Sequence, residues 1–234
     1  MSVIPGFLVF LLFFSAAGVR AEEVHDNDHM DITVFSSLSP ESFYNDWKLK
    51  SVSSIPELTQ YRLVADRSRG TVIEARAQAS FAALTRELEI DPLLYPVVVW
   101  NWKVSDAIES ANLKIKEKDD APARLLISFG ISYKKGGRPE GTLCYVWSAK
   151  DPQGSFIINP YNKDVMAIVV ASGFADVGVW QQYRRNIVDD YHRAFGHEPG
   201  KIRAISIISD TDNTGEQLTA WYGGIGFKRE RADD

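Results

Sequence analysis

Apolar residues recur at every second position in one short segment after another. Tyr61, Leu63 and Ala65 form one such set, Trp100, Trp102 and Val104 a second, Leu125, Ile127, Phe129 and Ile131 a third, and Leu143, Tyr145 and Trp147 a fourth. Period two is the spacing of side chains on one face of a β-strand, so each segment predicts a strand with one buried face. Strands are expected over residues 32–35, 46–49, 61–65, 71–77, 82–88, 97–104, 124–133, 143–148, 165–171, 202–209 and 219–227, most of them separated by turn-forming residues. One segment has helical spacing instead. Ile187, Tyr191 and Phe195 stand at i, i+4 and i+8 with Gly196 as a stop, which predicts a helix of about three turns over 183–195. A shorter helical turn is expected within 106–113. Helices are too few to carry crossovers between parallel strands, so the expected fold is all-β, an antiparallel β-sandwich.

The first residues break this pattern. An uninterrupted apolar run from Phe7 to Phe14 precedes Ser15, Ala16, Ala17 and Gly18, and Val19-Arg20-Ala21 offers a small-residue cleavage step. The run is shorter than the ~20 residues that span a bilayer. It reads as a secretory signal peptide over 1–21, although no basic residue precedes it. A secreted or periplasmic protein is therefore expected, with no membrane attachment after cleavage. Residues 22–31 are polar and aperiodic and are expected to form a flexible acidic tail. No linker interrupts 32–234, which reads as a single β-sandwich domain.

Charge narrows the partners. The 26 Lys and Arg lose Arg20 on cleavage, leaving 25 basic against 31 acidic side chains and a formal charge of −6. Such a chain is not built for nucleic acid or an anionic membrane. The single Cys144 excludes an internal disulfide and, between Leu143 and Tyr145, reads as a small buried hydrophobe.

Candidate chemistry gathers in three places. Asp210-x-Asp212-x-Thr214-Gly215 copies the first half of a calcium loop, although Trp221 stands where the closing Glu of such a loop would fall. Asp210, Asp212 and Thr214 are thus candidate metal ligands, with a structural Ca²⁺ the one cofactor suggested. An Asx-type turn that closes a hairpin, or a ligand-contacting tip, fits the same residues. Asp119-Asp120 precedes Arg124, which shares a face opposite Leu125 and Ile127. Asp120 and Arg124 are candidate ligand contacts, and a structural ion pair is the alternative. Trp100, Trp102, Trp147, Trp221 and Tyr222 offer flat rings on which a sugar could stack, unless they belong to the core. No Gly-x-Ser-x-Gly elbow, His-Glu-x-x-His helix, Walker loop or dinucleotide fingerprint is present, and no catalytic residue is assigned. Asp120 with Asp210 or Asp212 would be the pair for glycosidic hydrolysis.

The order of motifs resembles a bacterial secreted family, domain-of-unknown-function family 3047. The matching segments are Trp47-Lys48, Thr59-Gln60-Tyr61-Arg62-Leu63-Val64, Tyr95-Pro96-Val97-Val98-Val99-Trp100-Asn101-Trp102, Asp119-Asp120-Ala121-Pro122-Ala123-Arg124, Arg185-Asn186-Ile187-Val188-Asp189-Asp190-Tyr191 and Asp210-Thr211-Asp212-Asn213-Thr214. That family carries no assigned activity. The final run Trp221-Tyr222-Gly223-Gly224-Ile225-Gly226-Phe227 is also similar to the closing strand of galactose-binding-like jelly rolls. This second resemblance implies a jelly-roll sandwich and a glycan ligand. The expected function is non-catalytic binding of a cell-envelope or extracellular polysaccharide, or of another polar small molecule. A carbohydrate-active hydrolase or lyase, and a purely structural envelope protein, are the alternatives.

Overall fold

The computed structural model describes residues 25–26, 29–32, 40–132, 138–139 and 141–229. The leader read over 1–21 lies outside them. In chain order the elements are β1 (His25–Asp26), β2 (His29–Asp31), α1 (Pro40–Asp46), β3 (Trp47–Lys50), β4 (Gln60–Asp66), β5 (Gly70–Gln78), β6 (Ala83–Ile90), β7 (Val97–Val104) and β8 (Ala121–Phe129). There follow β9 (Ile131–Ser132), β10 (Arg138–Pro139), β11 (Thr142–Ser148), β12 (Phe156–Ile158), β13 (Val165–Ser172), β14 (Gln181–Asn186), α2 (Ile187–Phe195), β15 (Ile202–Asp210) and β16 (Gln217–Lys228).

These strands form a β-sandwich of two large sheets, with β9 and β10 as a separate ribbon. One sheet, here the β8 sheet, runs β12-β13-β11-β8-β15-β6-β3. In the other, the β16 sheet, the long β16 pairs on one side with β7, beyond which lies β14, and on its other side with β5 and then β2. β4 extends β5, and β1 extends β2. Among the described residues every pairing is antiparallel except β11 with β13.

The core lies between the two inner faces. Val98, Trp100, Trp102 and Val104 of β7 and Ala220 and Tyr222 of β16 meet Leu125 and Ile127 of β8, Tyr145 and Trp147 of β11 and Ile205 and Ile207 of β15. Trp100 stacks its ring on Tyr183 at 5.0 Å and lies 4.9 Å from Tyr145. Trp147 donates its indole N–H to the Gly173 carbonyl at 2.9 Å. Tyr222 crosses the core, donating its hydroxyl to the Ile208 carbonyl of the facing sheet at 2.6 Å. Trp100, Trp102, Trp147 and Tyr222 are at most 1 % exposed. This corrects the expectation that they line a ligand groove, because their large apolar area is worth more between the sheets than at a surface.

Three local expectations change as well. Residues 183–186 belong not to the helix but to β14, where Tyr183 stacks on Trp100 and packs at a tilt against Trp102. The helix starts at Ile187, where the side chain of the N-cap Asn186 accepts hydrogen bonds from the backbone N–H groups of Val188 and Asp189. It ends at Gly196, whose φ of 74° is the left-handed conformation that glycine adopts without strain. The acidic stretch 22–31 is not wholly a tail. Its last residues pair with β16, and Met30 and Ile32 reach the core. The segment 106–113 forms turns without helix. No helix among the described residues is long and apolar enough to cross a membrane.

Candidate functional site

Period two gives β8 a second face. Arg124, Leu126 and Ser128 point away from the core, to the outside of the β8 sheet. Around them a cavity of about 180 Å³ opens. Its floor is Leu126, Cys144, Ile208, Ala83 and Val165, and Ser128, Thr142, Ser206 and Thr85 interleave hydroxyls with these apolar groups. The hydroxyls are paired, Thr85 with Ser206 at 2.9 Å and Thr142 with Ser128 at 3.2 Å. One end is walled by Asp119, Arg124, Asn159, Tyr161, Asp210, Asp212 and Asn213.

That end is built on Arg124. Its guanidinium is buried and donates to Asp210 Oδ1 through Nε at 3.1 Å and to Asp119 Oδ1 through Nη2 at 3.0 Å. Nη2 also reaches the Asp119 carbonyl at 2.9 Å. Asn159 donates from Nδ2 to the second Asp119 oxygen at 2.7 Å. Burial pushes the Asp210 carboxyl well above the usual carboxylate range, a push that the attraction of Arg124 opposes without cancelling. The same balance raises Asp119.

The 211–214 turn closes the wall. Asp120, 1 % exposed, accepts the backbone N–H groups of Asn213 at 3.3 Å and Thr214 at 2.6 Å. Gly215 donates its N–H to the Thr211 carbonyl at 2.8 Å and holds φ 73°, so the loop folds back on itself at glycine's expense alone. The turn thereby brings Asp212 over the cavity. Oxygens of Asp120, Asp210 and Asp212 lie within 4.8 Å of one another. Desolvation, and next the neighbouring Asp120, push the Asp212 carboxyl up to about 6. Two of the three candidate metal ligands, Asp210 and Asp212, thus share a point with Asp120, and these three carboxyls are the residues that could hold a cation. Thr214 Oγ1 is buried with no hydrogen-bond partner.

The acid pair, the arginine and the 210–214 loop therefore converge, whereas the tryptophans do not join them. Trp221 lies on the outer face of the other sheet, with Lys103 Nζ 4.5 Å from its ring. The aromatics at the cavity are Phe81 and Tyr161, and the Tyr161 hydroxyl donates to the Lys116 carbonyl and accepts from Asn213 Nδ2 at 3.4 Å. Tyr161, Asn159 and Asn162 were absent from the expected site. The turn signal Asn159-Pro160-Tyr161-Asn162 was legible, but nothing local tells which sheet face a loop will cover. Cys144 sits in the floor, where burial pushes its thiol up to about 11, so it acts as an apolar group.

Residues 45–226 match the family described as "Protein of unknown function (DUF3047)". The chain belongs to this family. The match spans both sheets apart from β1 and β2, and all the cavity residues named above. No curated protein matches the chain. Among solved structures, the chain is similar to the Emp47p carbohydrate recognition domain at 11 % identity and TM-score 0.47, covering 92 % of this chain and 100 % of that one. It is similar to the cellulose induced protein Cip1 at 10 % identity and TM-score 0.39, covering 81 % and 94 %. A third likeness, at 6 % identity and TM-score 0.37, is to the glycoside hydrolase domain of Endo-D from Streptococcus pneumoniae R6. It covers 79 % of this chain and only 22 % of that one.

Proposed function

We propose that the outer face of the β8 sheet binds a neutral glycan without turning it over, in a protein delivered outside the cytoplasm. The observation that carries this reading is the convergence of Asp119, Asp212, Asn159, Asn213 and Tyr161 at one end of a floor that alternates apolar and hydroxyl groups. A sugar ring has the same duality: C–H groups meet an apolar floor while hydroxyls take directional hydrogen bonds from amides and carboxylates. Charge narrows the class. Arg124 is one cation against Asp119, Asp120, Asp210 and Asp212, and its Nε and Nη2 donors are already committed to two of them. A polyanionic glycan would meet net repulsion there.

Screening the full chain against neutral gluco-, xylo- and N-acetylglucosaminyl oligosaccharides tests the proposal. The expected result is binding that Tyr161→Ala and Ser206→Trp weaken or abolish while the melting temperature holds. Binding unaffected by either variant would overturn it. The hydrolase or lyase reading has one observation of its own, the cavity-facing Asp212 carboxyl at about 6 with other carboxyls within reach. Shortening of a bound oligosaccharide by wild type and not by Asp212→Asn would favour it over simple binding.

A further inference from the structure

The opposite face of the sandwich carries a feature that the cavity does not use. On the outside of the β16 sheet, strand register aligns one residue from each strand into a row. Lys103 faces Trp221, Trp221 faces Glu74, and Glu74 faces Arg62. Trp180, just before β14, closes the far end, with Lys103 Nζ 5.2 Å from its ring. The row crosses four strands and ends on the residue that precedes a fifth, and so spans about 19 Å at the usual strand spacing.

Its charges are unevenly matched. Arg62 and Arg76 both donate to the same Glu74 oxygen, each at 2.7 Å, and their side chains remain 57 % and 55 % exposed. Lys103 is held between the two indoles and lies 3.5 Å from Asp66. Arg69 stands over the Trp180 ring at 5.8 Å. Four cations therefore meet two carboxylates, on a chain whose total formal charge is −5. A local positive surplus on an acidic protein is what a negatively charged partner recognises.

We infer that this row is a second binding surface, for an extended glycan bearing carboxylate or sulfate groups. An extended polyanion fits the straight row. A bilayer fits it less well, because both indoles lie half-buried beneath cations and none protrudes to insert. Nucleic acid fits less well too, since the ring faces that would stack on bases are taken by Lys103 and Arg69. The surface is independent of the cavity, which lies on the other sheet and carries the opposite charge.

The test is titration of the full chain at low salt with polygalacturonate, dextran sulfate and uncharged dextran. The two polyanions should bind, polygalacturonate reporting carboxylate recognition and dextran sulfate sulfate recognition, and uncharged dextran should not bind at this row, so that any cavity binding of dextran is the same in wild type and in the triple variant below. The triple variant Arg62→Gln, Glu74→Gln, Arg76→Gln leaves no buried carboxylate unpaired and should weaken polyanion binding roughly fivefold to thirtyfold. Glu74→Gln alone should strengthen it, and Asp212→Asn in the cavity should leave it within twofold. Failure of both polyanions to bind would overturn the inference, as would a triple variant that binds them like wild type. Tighter binding to phosphatidylglycerol vesicles or duplex DNA than to either polysaccharide would overturn it in favour of those partners. Binding of neutral oligosaccharides at the cavity is unaffected by any of these outcomes.

Discussion

Replacing Asp212 by Asn should make the protein more stable at neutral pH, because the ionised carboxyl opposes folding. The folded value of about 6 lies above the ordinary 3.8, owing first to desolvation and then to the adjacent Asp120. An acid with a raised folded value destabilises the native state fully above about pH 6. The penalty shrinks as pH falls from 6 towards 4 and vanishes below, where both states are protonated. The difference is about 2 pH units, which at 1.36 kcal/mol each sets a ceiling near 3 kcal/mol. Asp212 reaches an open cavity, and screening by solvent reduces this to roughly 1–2 kcal/mol. Urea denaturation of wild type and Asp212→Asn at pH 7 and pH 4 measures it. The variant should gain about 1–2 kcal/mol at pH 7 and close to nothing at pH 4. A variant less stable than wild type at pH 7, or a gain equal at both pH values, would refute the reasoning.

Other perturbations have distinct signatures. Arg124→Met strands Asp119 and Asp210 and should cost about 3–5 kcal/mol at pH 7, less at pH 5 where these raised carboxyls protonate more readily; denaturant titration at both pH values reads it. Trp100→Ala should cost about 3–5 kcal/mol of stability and leave glycan affinity unchanged in the folded fraction, as calorimetric melting and ligand titration would show. If the carboxyls of Asp120, Asp210 and Asp212 take calcium, the melting temperature should rise with calcium, fall back with chelator and lose this response in Asp212→Ala. Equal melting temperatures with and without the ion would leave the loop as a turn closed on Asp120.

Strand alternation carried most of the fold, since side-chain period is a local property. It also held the answer to the tryptophan question. Asn101 and Lys103 occupy the face of β7 opposite Trp100 and Trp102, and polar residues there mark which side is solvent. The strand at 183–186 was not legible in the same way, because it depends on Tyr183 meeting two tryptophans from β7. At the site, the Asp119-Asp120-x-x-x-Arg124 spacing and the 210–214 loop were both visible in the sequence. Their meeting was not, because it requires β8 and β15 to pair so that Asp210 falls beside Ala121. Asn159 and Tyr161 come from a loop whose only local mark is a turn signal, and long-range packing alone brings it over the sheet.

The most direct measurement is amide chemical-shift mapping during titration with whichever neutral oligosaccharide binds. A ligand in the cavity should perturb Ser128, Thr142, Ser206, Asn213 and the loop around Tyr161, and leave Lys103, Thr219 and Trp221 unmoved. Perturbations confined to the outer face of the β16 sheet, or to helix α2, would contradict the assignment of the glycan site to the face that Arg124, Asp210 and Asp212 enclose.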